Sequence, residues 1–108
     1  MVEVICIDDK NKPQQIPQKY WIKEGEKVHI TLVTLHPHQE GGIQGCELYE
    51  KPLPIEECAP YNFWKLSRFG ITPDNLRALI ELIMASTELN EVDVHQLLEE
   101  AQLQSLEV

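Results

Sequence analysis

Residues 71–84 read Ile71-Thr72-Pro73-Asp74-Asn75-Leu76-Arg77-Ala78-Leu79-Ile80-Glu81-Leu82-Ile83-Met84, and they mark where the chain becomes helical. Thr72 suits the N-cap, Pro73 the first helical position and Asp74 the positive end of the helix dipole. The apolar residues that follow recur at the spacing of one helix face, and they are Leu76, Leu79, Ile80, Ile83 and Met84. The stretch therefore predicts an amphipathic helix of about four turns.

A second helix start follows after a short separation across Ser86–Leu89. Asn90 can cap this helix, acidic residues fill its first turn, and Leu89 is placed to pack against Val94 as a hydrophobic staple. Its apolar stripe consists of Val94, Leu97, Leu98 and Ala101. Because short connections join antiparallel helices, residues 71–108 are predicted to form a helical hairpin.

Three further leucines of this hairpin fall off the two stripes or at their edge, namely Leu82, Leu103 and Leu106. The hairpin therefore has more apolar surface than it can bury by itself. We expect the N-terminal part of the chain, a partner protein or a second copy of the chain to cover this surface. The segment is also acidic, because no basic residue follows Arg77.

The N-terminal part of the chain has the two-residue period of a β-sheet. Residues 1–7 are rich in β-branched side chains and predict a strand. Residues 27–35 alternate between two faces and predict another. The residues expected on its buried face are Val28, Ile30 and Leu32. A polar loop over residues 36–42 should lead to a third strand over residues 43–50, which completes a β-meander.

The stretch from residue 51 to residue 71 is predicted to close this sheet. Three prolines should keep residues 51–60 irregular and extended, without a helix or strand. Four of the seven aromatic residues of the chain then lie within residues 61–69, and such large apolar groups usually complete a core. We expect a short helical turn around residues 62–66 and a final short strand over residues 67–71.

Composition limits the classes of function. The chain has 108 residues, 43% of them hydrophobic, which fits one globular domain. Its net charge of −9 disfavours direct binding to nucleic acid, because phosphates attract Lys and Arg. The N-terminus shows neither a signal peptide nor a membrane span, so we expect a cytoplasmic protein that does not bind membranes. The three cysteines include no closely spaced pair and are expected to be reduced thiols.

No arrangement of residues predicts catalysis, a metal or a cofactor. His36, His38, Cys46 and Cys58 are ligand types that zinc accepts, but their spacing matches no known zinc framework. A cysteine nucleophile would need an orienting base and an oxyanion hole, and neither is visible in the sequence. We therefore assign no catalytic residue and no metal ligand.

Several short motifs resemble a family of short, uncharacterised proteins of bacteria and their mobile elements that have a small SH3-like β-barrel. The motifs are Val4-Ile5-Cys6-Ile7-Asp8, Ile16-Pro17 before Trp21-Ile22-Lys23-Glu24-Gly25-Glu26, Gly42-Ile43-Gln44-Gly45, and Cys58-Ala59-Pro60-Tyr61 before Ser67-Arg68-Phe69-Gly70. The resemblance implies a barrel whose last strand contains Arg68 and Phe69, and it implies no activity. The chain departs from the family at residues 28–30, where members usually carry a Tyr-Thr-Val-like strand, and residues 71–108 lie outside the likeness.

Together these observations predict an α+β fold with two units. Residues 1–70 would form a small SH3-like antiparallel β-barrel, and residues 71–108 an acidic two-helix hairpin packed on the barrel or on a partner. An SH3-like barrel can bind peptides through surface aromatic residues, which here would be Trp21, Tyr49, Tyr61 and Trp64, although at least two of these are expected in the core.

The predicted function is that of a non-enzymatic interaction protein, in a phage or mobile-element setting, that binds a protein partner or itself through the C-terminal helices. The predicted contact residues are Leu82, Leu103, Leu106, Trp21 and Trp64, and a homodimer is one expected form. One alternative is an acidic nucleic-acid mimic that blocks a host nucleic-acid-binding protein. Another is a metal-dependent or cysteine enzyme, which would require His36, His38, Cys46 and Cys58 to converge.

Overall fold

The computed structural model describes residues 1–35 and 42–106. Within these residues the fold is mixed α+β, with one curled five-stranded sheet and three helices. The strands are β1 (Val2–Cys6), β2 (Lys27–Leu35), β3 (Ile43–Leu48), β4 (Phe69–Ile71) and β5 (Gln104–Ser105), and the helices are α1 (Ile55–Cys58), α2 (Pro73–Ser86) and α3 (Glu91–Glu100). Single 3₁₀ turns cover Gln18–Tyr20 and Leu66–Arg68. The α+β prediction is thus confirmed.

The sheet has the strand order β3-β2-β1-β4-β5. β1 lies at its centre and pairs antiparallel with β2 and with β4. β3 pairs antiparallel with β2, as the predicted meander requires, whereas β5 runs parallel to β4. β5 was not predicted, because two polar residues at positions 104–105 carry no strand pattern.

The alternation along β2 holds for its first half only. Val28 and Ile30 are fully buried, but Leu32, predicted on the same face, is 46% exposed. The pairing with β3 shifts register between Ile30 and Leu32. Since one extra residue moves every following side chain to the other face of a strand, this irregularity turns Leu32 outward and lets Val33 pack against the core. The prediction for Leu32 was wrong for this reason.

The segment between β3 and β4 differs from its prediction in two places. Residues 55–58, expected to be irregular, form α1, which starts after Pro54 and has no proline inside it. The predicted turn around residues 62–66 instead lies at Leu66–Arg68, and β4 starts only at Phe69. The reason is that Trp64 and Cys46 exchange two backbone hydrogen bonds of 2.8 Å, and this isolated β-bridge keeps Trp64 out of a helical turn.

The two long helices begin where the sequence predicts. Asn90 caps α3, since its Oδ1 accepts a hydrogen bond of 2.9 Å from the Asp93 N–H. Thr72 occupies the N-cap position of α2, but its side chain makes no capping hydrogen bond there. None of the helices in the described part of the chain is both long and apolar enough to cross a lipid bilayer.

One hydrophobic core joins the sheet and the helices. α2 packs against β1 and α3 against β3, and the two helices contact each other. Val4 and Phe69 of the sheet share a single buried cluster with Ile80 of α2 and Leu98 of α3. Most of both predicted stripes is buried, so the hairpin covers one side of the curled sheet. Met84 is the exception, since it was predicted on the stripe of α2 but is 36% exposed at the C-terminal end of that helix.

Candidate functional site

The three leucines predicted to bind a partner are partly covered within the chain. Leu82 and Leu103 are half-buried and pack against the hydrophobic core. Leu106 is half-buried over Gly70, where an added Cβ would lie 2.7 Å from its Cδ2, and its backbone N–H donates to the Ile71 carbonyl at 2.8 Å. Contacts within the chain therefore bury part of the apolar surface that these three leucines add to the hairpin.

The two tryptophans lie in the core and against each other. Trp21 and Trp64 are both buried, with ring centroids 5.2 Å apart and an interplanar angle of 47°. Each indole N–H is already satisfied, since Trp21 donates to the Asp9 carbonyl at 2.7 Å and Trp64 to the Lys51 carbonyl at 3.0 Å. The expectation that at least two of the four candidate aromatics belong to the core is confirmed.

These rings also form the floor of an open cleft of about 520 Å³. One wall comes from the loop after β1 and the other from the segment before β4. The lining residues are Asp8, Asn11, Pro13, Ile16, Trp21, Tyr61, Phe63, Trp64, Lys65, Ser67 and Arg68. Tyr61, 38% exposed, and the half-buried Phe63 contribute most of the accessible aromatic surface. Tyr49, the fourth predicted aromatic, is 66% exposed and is not part of this lining.

Arg68 holds the two walls together. Its guanidinium lies 4.8 Å from the centroid of the Trp21 ring, in a cation–π contact. Its Nη1 donates to the carbonyls of Asp8, at 3.2 Å, and Lys10, at 2.7 Å, and lies 3.7 Å from Asp8 Oδ1. Asn11 completes this loop with φ of 62°, a left-handed conformation that asparagine tolerates better than most residues.

Sequence reasoning identified the aromatic floor of the cleft but not the wall that Arg68 fixes. The hydrogen bonds of Arg68 reach residues 58 and 60 positions away in sequence. No local period or motif reports such contacts. The only sequence signal was indirect, since residues 61–69 combine aromatic and basic side chains.

A second cavity, of about 340 Å³, also has Trp64 in its lining. It is bounded by the connector after β3, and its lining residues are Glu47, Leu48, Lys51, Pro52, Leu53, Pro54, Asn62 and Trp64. Trp64 is the one residue that the linings of both cavities share.

The cysteines are core groups. Cys6, Cys46 and Cys58 are all buried free thiols. Burial raises the pKa of each of them, and it raises that of Cys46 to about 12. Such thiols stay protonated at neutral pH, and a protonated thiol is a poor nucleophile and a poor metal ligand.

The metal hypothesis involves four residues, and the structure describes only two of them, Cys46 and Cys58. His36 and His38 lie outside the residues that the structure describes. Within residues 1–35 and 42–106, no group of three His, Cys, Asp or Glu side chains is placed to hold a metal ion.

His29 forms a separate polar cluster on the sheet. Its Nδ1 lies 2.5 Å from Glu50 Oε2, its backbone N–H donates to Glu50 Oε1 at 2.7 Å, and its Nε2 is 4.0 Å from Glu3 Oε1. Burial raises the pKa of Glu50, but the hydrogen bonds from the ring and backbone of His29 together bring it below its ordinary value. The cluster ties the end of β3 to β2.

Comparisons with known proteins give no assignment for these features. The chain matches no protein-family model, no curated protein and no solved structure. Its function therefore has to be argued from the geometry of the chain itself.

Proposed function

We propose that this protein is a non-enzymatic interaction module that binds an extended, apolar segment of a partner protein in the cleft between Trp21, Tyr61 and Trp64. The observation that carries the proposal is the cleft itself, which has an aromatic floor and rim and a volume of about 520 Å³. Binding pockets of about 300–1,000 Å³ with aromatic walls and a few polar groups are typical of ligand sites. Aromatic grooves of this kind suit proline-containing segments in the extended polyproline conformation.

The proposed fold of residues 1–70 is an SH3-like barrel, and the neighbour relations of its segments support this. β4 pairs with β1, β1 with β2, and β2 with β3, while Trp64 continues beyond β3 by pairing with Cys46. Lys65 and the 3₁₀ turn at Leu66–Arg68 separate Trp64 from β4 along the chain. The chain therefore runs from a segment beside β3 to β4 beside β1, which supports the proposed closure of the sheet into a barrel.

The geometry favours the cleft over the C-terminal helices as the contact surface. The half-buried leucines Leu82, Leu103 and Leu106 already pack within the chain. The cleft, in contrast, leaves Tyr61 substantially exposed beside the buried indoles. Since both indole N–H groups donate to backbone carbonyls, recognition would rest on apolar contact with the rings and on the polar groups around them.

The test is a selection of displayed random peptides that lack tryptophan, followed by titration of the enriched peptides against intrinsic fluorescence. Both tryptophans of the chain line the cleft, so their emission reports directly on its occupancy. We expect Tyr61→Ala to weaken binding about tenfold, as for an aromatic residue at the centre of an interface. Tyr49→Ala is the matched control, because this exposed tyrosine lies outside the cleft.

The proposal fails if no enriched peptide gives a saturable fluorescence change, or if both tyrosine variants bind as the wild type does. Light scattering of the same preparation tests the prediction of self-association through the helices. The acidic nucleic-acid mimic also stays a prediction, and a complex that weakens steeply with added salt would favour it.

A further inference from the structure

The charge of the cleft is opposite to that of the whole chain. The protein has 18 acidic and 9 basic residues. The lining of the cleft includes two basic side chains, Lys65 and Arg68, and one acidic side chain, Asp8. The loop after β1 adds Lys10, Lys12 and Asp9 beside it. A ligand that approaches this cleft therefore meets a local excess of positive charge on an otherwise acidic surface.

The two acidic side chains are already engaged within the chain. Asp8 Oδ1 accepts a hydrogen bond of 3.0 Å from the Lys10 N–H and lies 3.7 Å from Arg68 Nη1. Asp9 Oδ2 accepts a hydrogen bond of 2.9 Å from the Glu24 N–H. Their charges thus stabilise the loop after β1.

Hydrogen-bond donors remain at the open side of the cleft. Lys65 is exposed and lines the cleft, as does the half-buried Ser67. The hydrogen bonds and the ion pair of Arg68 within the described residues all use Nη1, so its Nη2 and Nε have no hydrogen-bond partner among these residues. Lys12 lies outside the cleft lining, and its Nζ donates to the carbonyls of Ile16, at 2.6 Å, and Pro13, at 3.3 Å. Charged nitrogen donors beside an apolar floor match a carboxylate next to an apolar side chain.

We infer that the segment bound in this cleft carries an Asp or Glu side chain beside its apolar anchor, and that this carboxylate pairs with Lys65 and Arg68. The inference rests on the proposed function, since it specifies the partner of the same site. It distinguishes this cleft from one that selects basic or uncharged proline-rich segments.

The experiment is the peptide selection described above, with the C-terminus of each random peptide fused to the display protein so that only side-chain carboxylates are offered. We expect Asp and Glu to be enriched next to the apolar positions with wild-type protein, and this enrichment to disappear with Lys65→Glu. Lys27→Glu is the matched control, because Lys27 is an exposed lysine outside the cleft. Enrichment of Lys or Arg, or no charge bias, would overturn the inference and leave the proposed function standing, whereas no enriched peptide would overturn both.

Titration of the best peptide gives the quantitative test. Replacing its acidic residue by the matching amide should weaken binding about fivefold, and Lys65→Gln in the protein should do the same, as for a partly exposed ion pair. The two changes together should cost little more than either alone, because they remove the same interaction. Fully independent effects of the two changes, or equal affinity for the amide peptide, would refute the pairing. A requirement for a free peptide C-terminus instead of a side chain would also refute it.

Discussion

Gly45→Ala should destabilise the protein strongly, although alanine is the smallest possible change. Gly45 is buried in β3, directly before Cys46, which pairs with Trp64. A Cβ at this position would lie 2.5 Å from the Trp64 carbonyl oxygen and closer still to the Phe63 ring. Backbone atoms cannot yield as a flexible side-chain end does, so the segment that forms the wall of the cleft must move away from β3.

The expected cost has two parts. Overpacking of a buried site costs about 1–3 kcal/mol. Displacing the segment also weakens the two hydrogen bonds between Cys46 and Trp64, each of which contributes about 1 kcal/mol. We therefore expect a loss of about 3 kcal/mol in the free energy of unfolding. With a urea dependence of about 1.5 kcal/mol per molar, the unfolding midpoint would fall by about 2 M.

Urea unfolding followed by tryptophan fluorescence and by far-UV circular dichroism measures this loss. Gly25→Ala provides the comparison, because nothing lies within 4 Å of an added Cβ there and only the φ of 89° opposes the change. That strain should cost about 1 kcal/mol. The reasoning is refuted if Gly45→Ala costs no more than Gly25→Ala.

Three further predictions concern the polar cluster, the thiols and the helix caps. Hydrogen bonds from His29 lower the pKa of Glu50 in the folded protein. The ionised Glu50 carboxylate should therefore stabilise the fold above the ordinary pKa of a glutamate, and this stabilisation should be lost as the pH falls. Glu50→Gln should reduce the difference between the unfolding free energies measured at about pH 6 and at about pH 3. The thiol of Cys46, buried and with a pKa raised to about 12, should react with a disulfide reagent far more slowly in folded than in urea-unfolded protein, and equal rates would contradict its burial. Asn90→Ala should cost about 1 kcal/mol in thermal or urea unfolding, and Thr72→Ala clearly less, since only Asn90 makes a capping hydrogen bond; equal losses would argue against that assignment.

Elements with a strong local period could be predicted from the sequence. The bounds of β2 and the starts of α2 and α3 follow from alternation, from Pro73 at a first helical position and from Asn90 as a cap. These signals act between residues a few positions apart, so the surrounding fold changes them little. The burial of Val28 and Ile30 follows in the same way.

Contacts between distant residues could not be predicted in this way. The register shift in β2 that exposes Leu32 depends on how β3 pairs with it, and β5 exists only because β4 offers a free edge to residues 104–105. The packing of Leu106 over Gly70 likewise requires the C-terminal segment to return to β4.

The candidate site shows the same division. The sequence by itself determined which residues are available, namely two tryptophans, a cluster of aromatic residues at 61–69 and a helical C-terminus with leucines outside its two apolar stripes. Only the tertiary structure decided that Trp21 and Trp64 lie 5.2 Å apart and that Arg68 fixes the loop after β1 into an opposing wall. The physical reason is that secondary structure depends on neighbours along the chain, whereas a cleft depends on which distant side chains the core brings together.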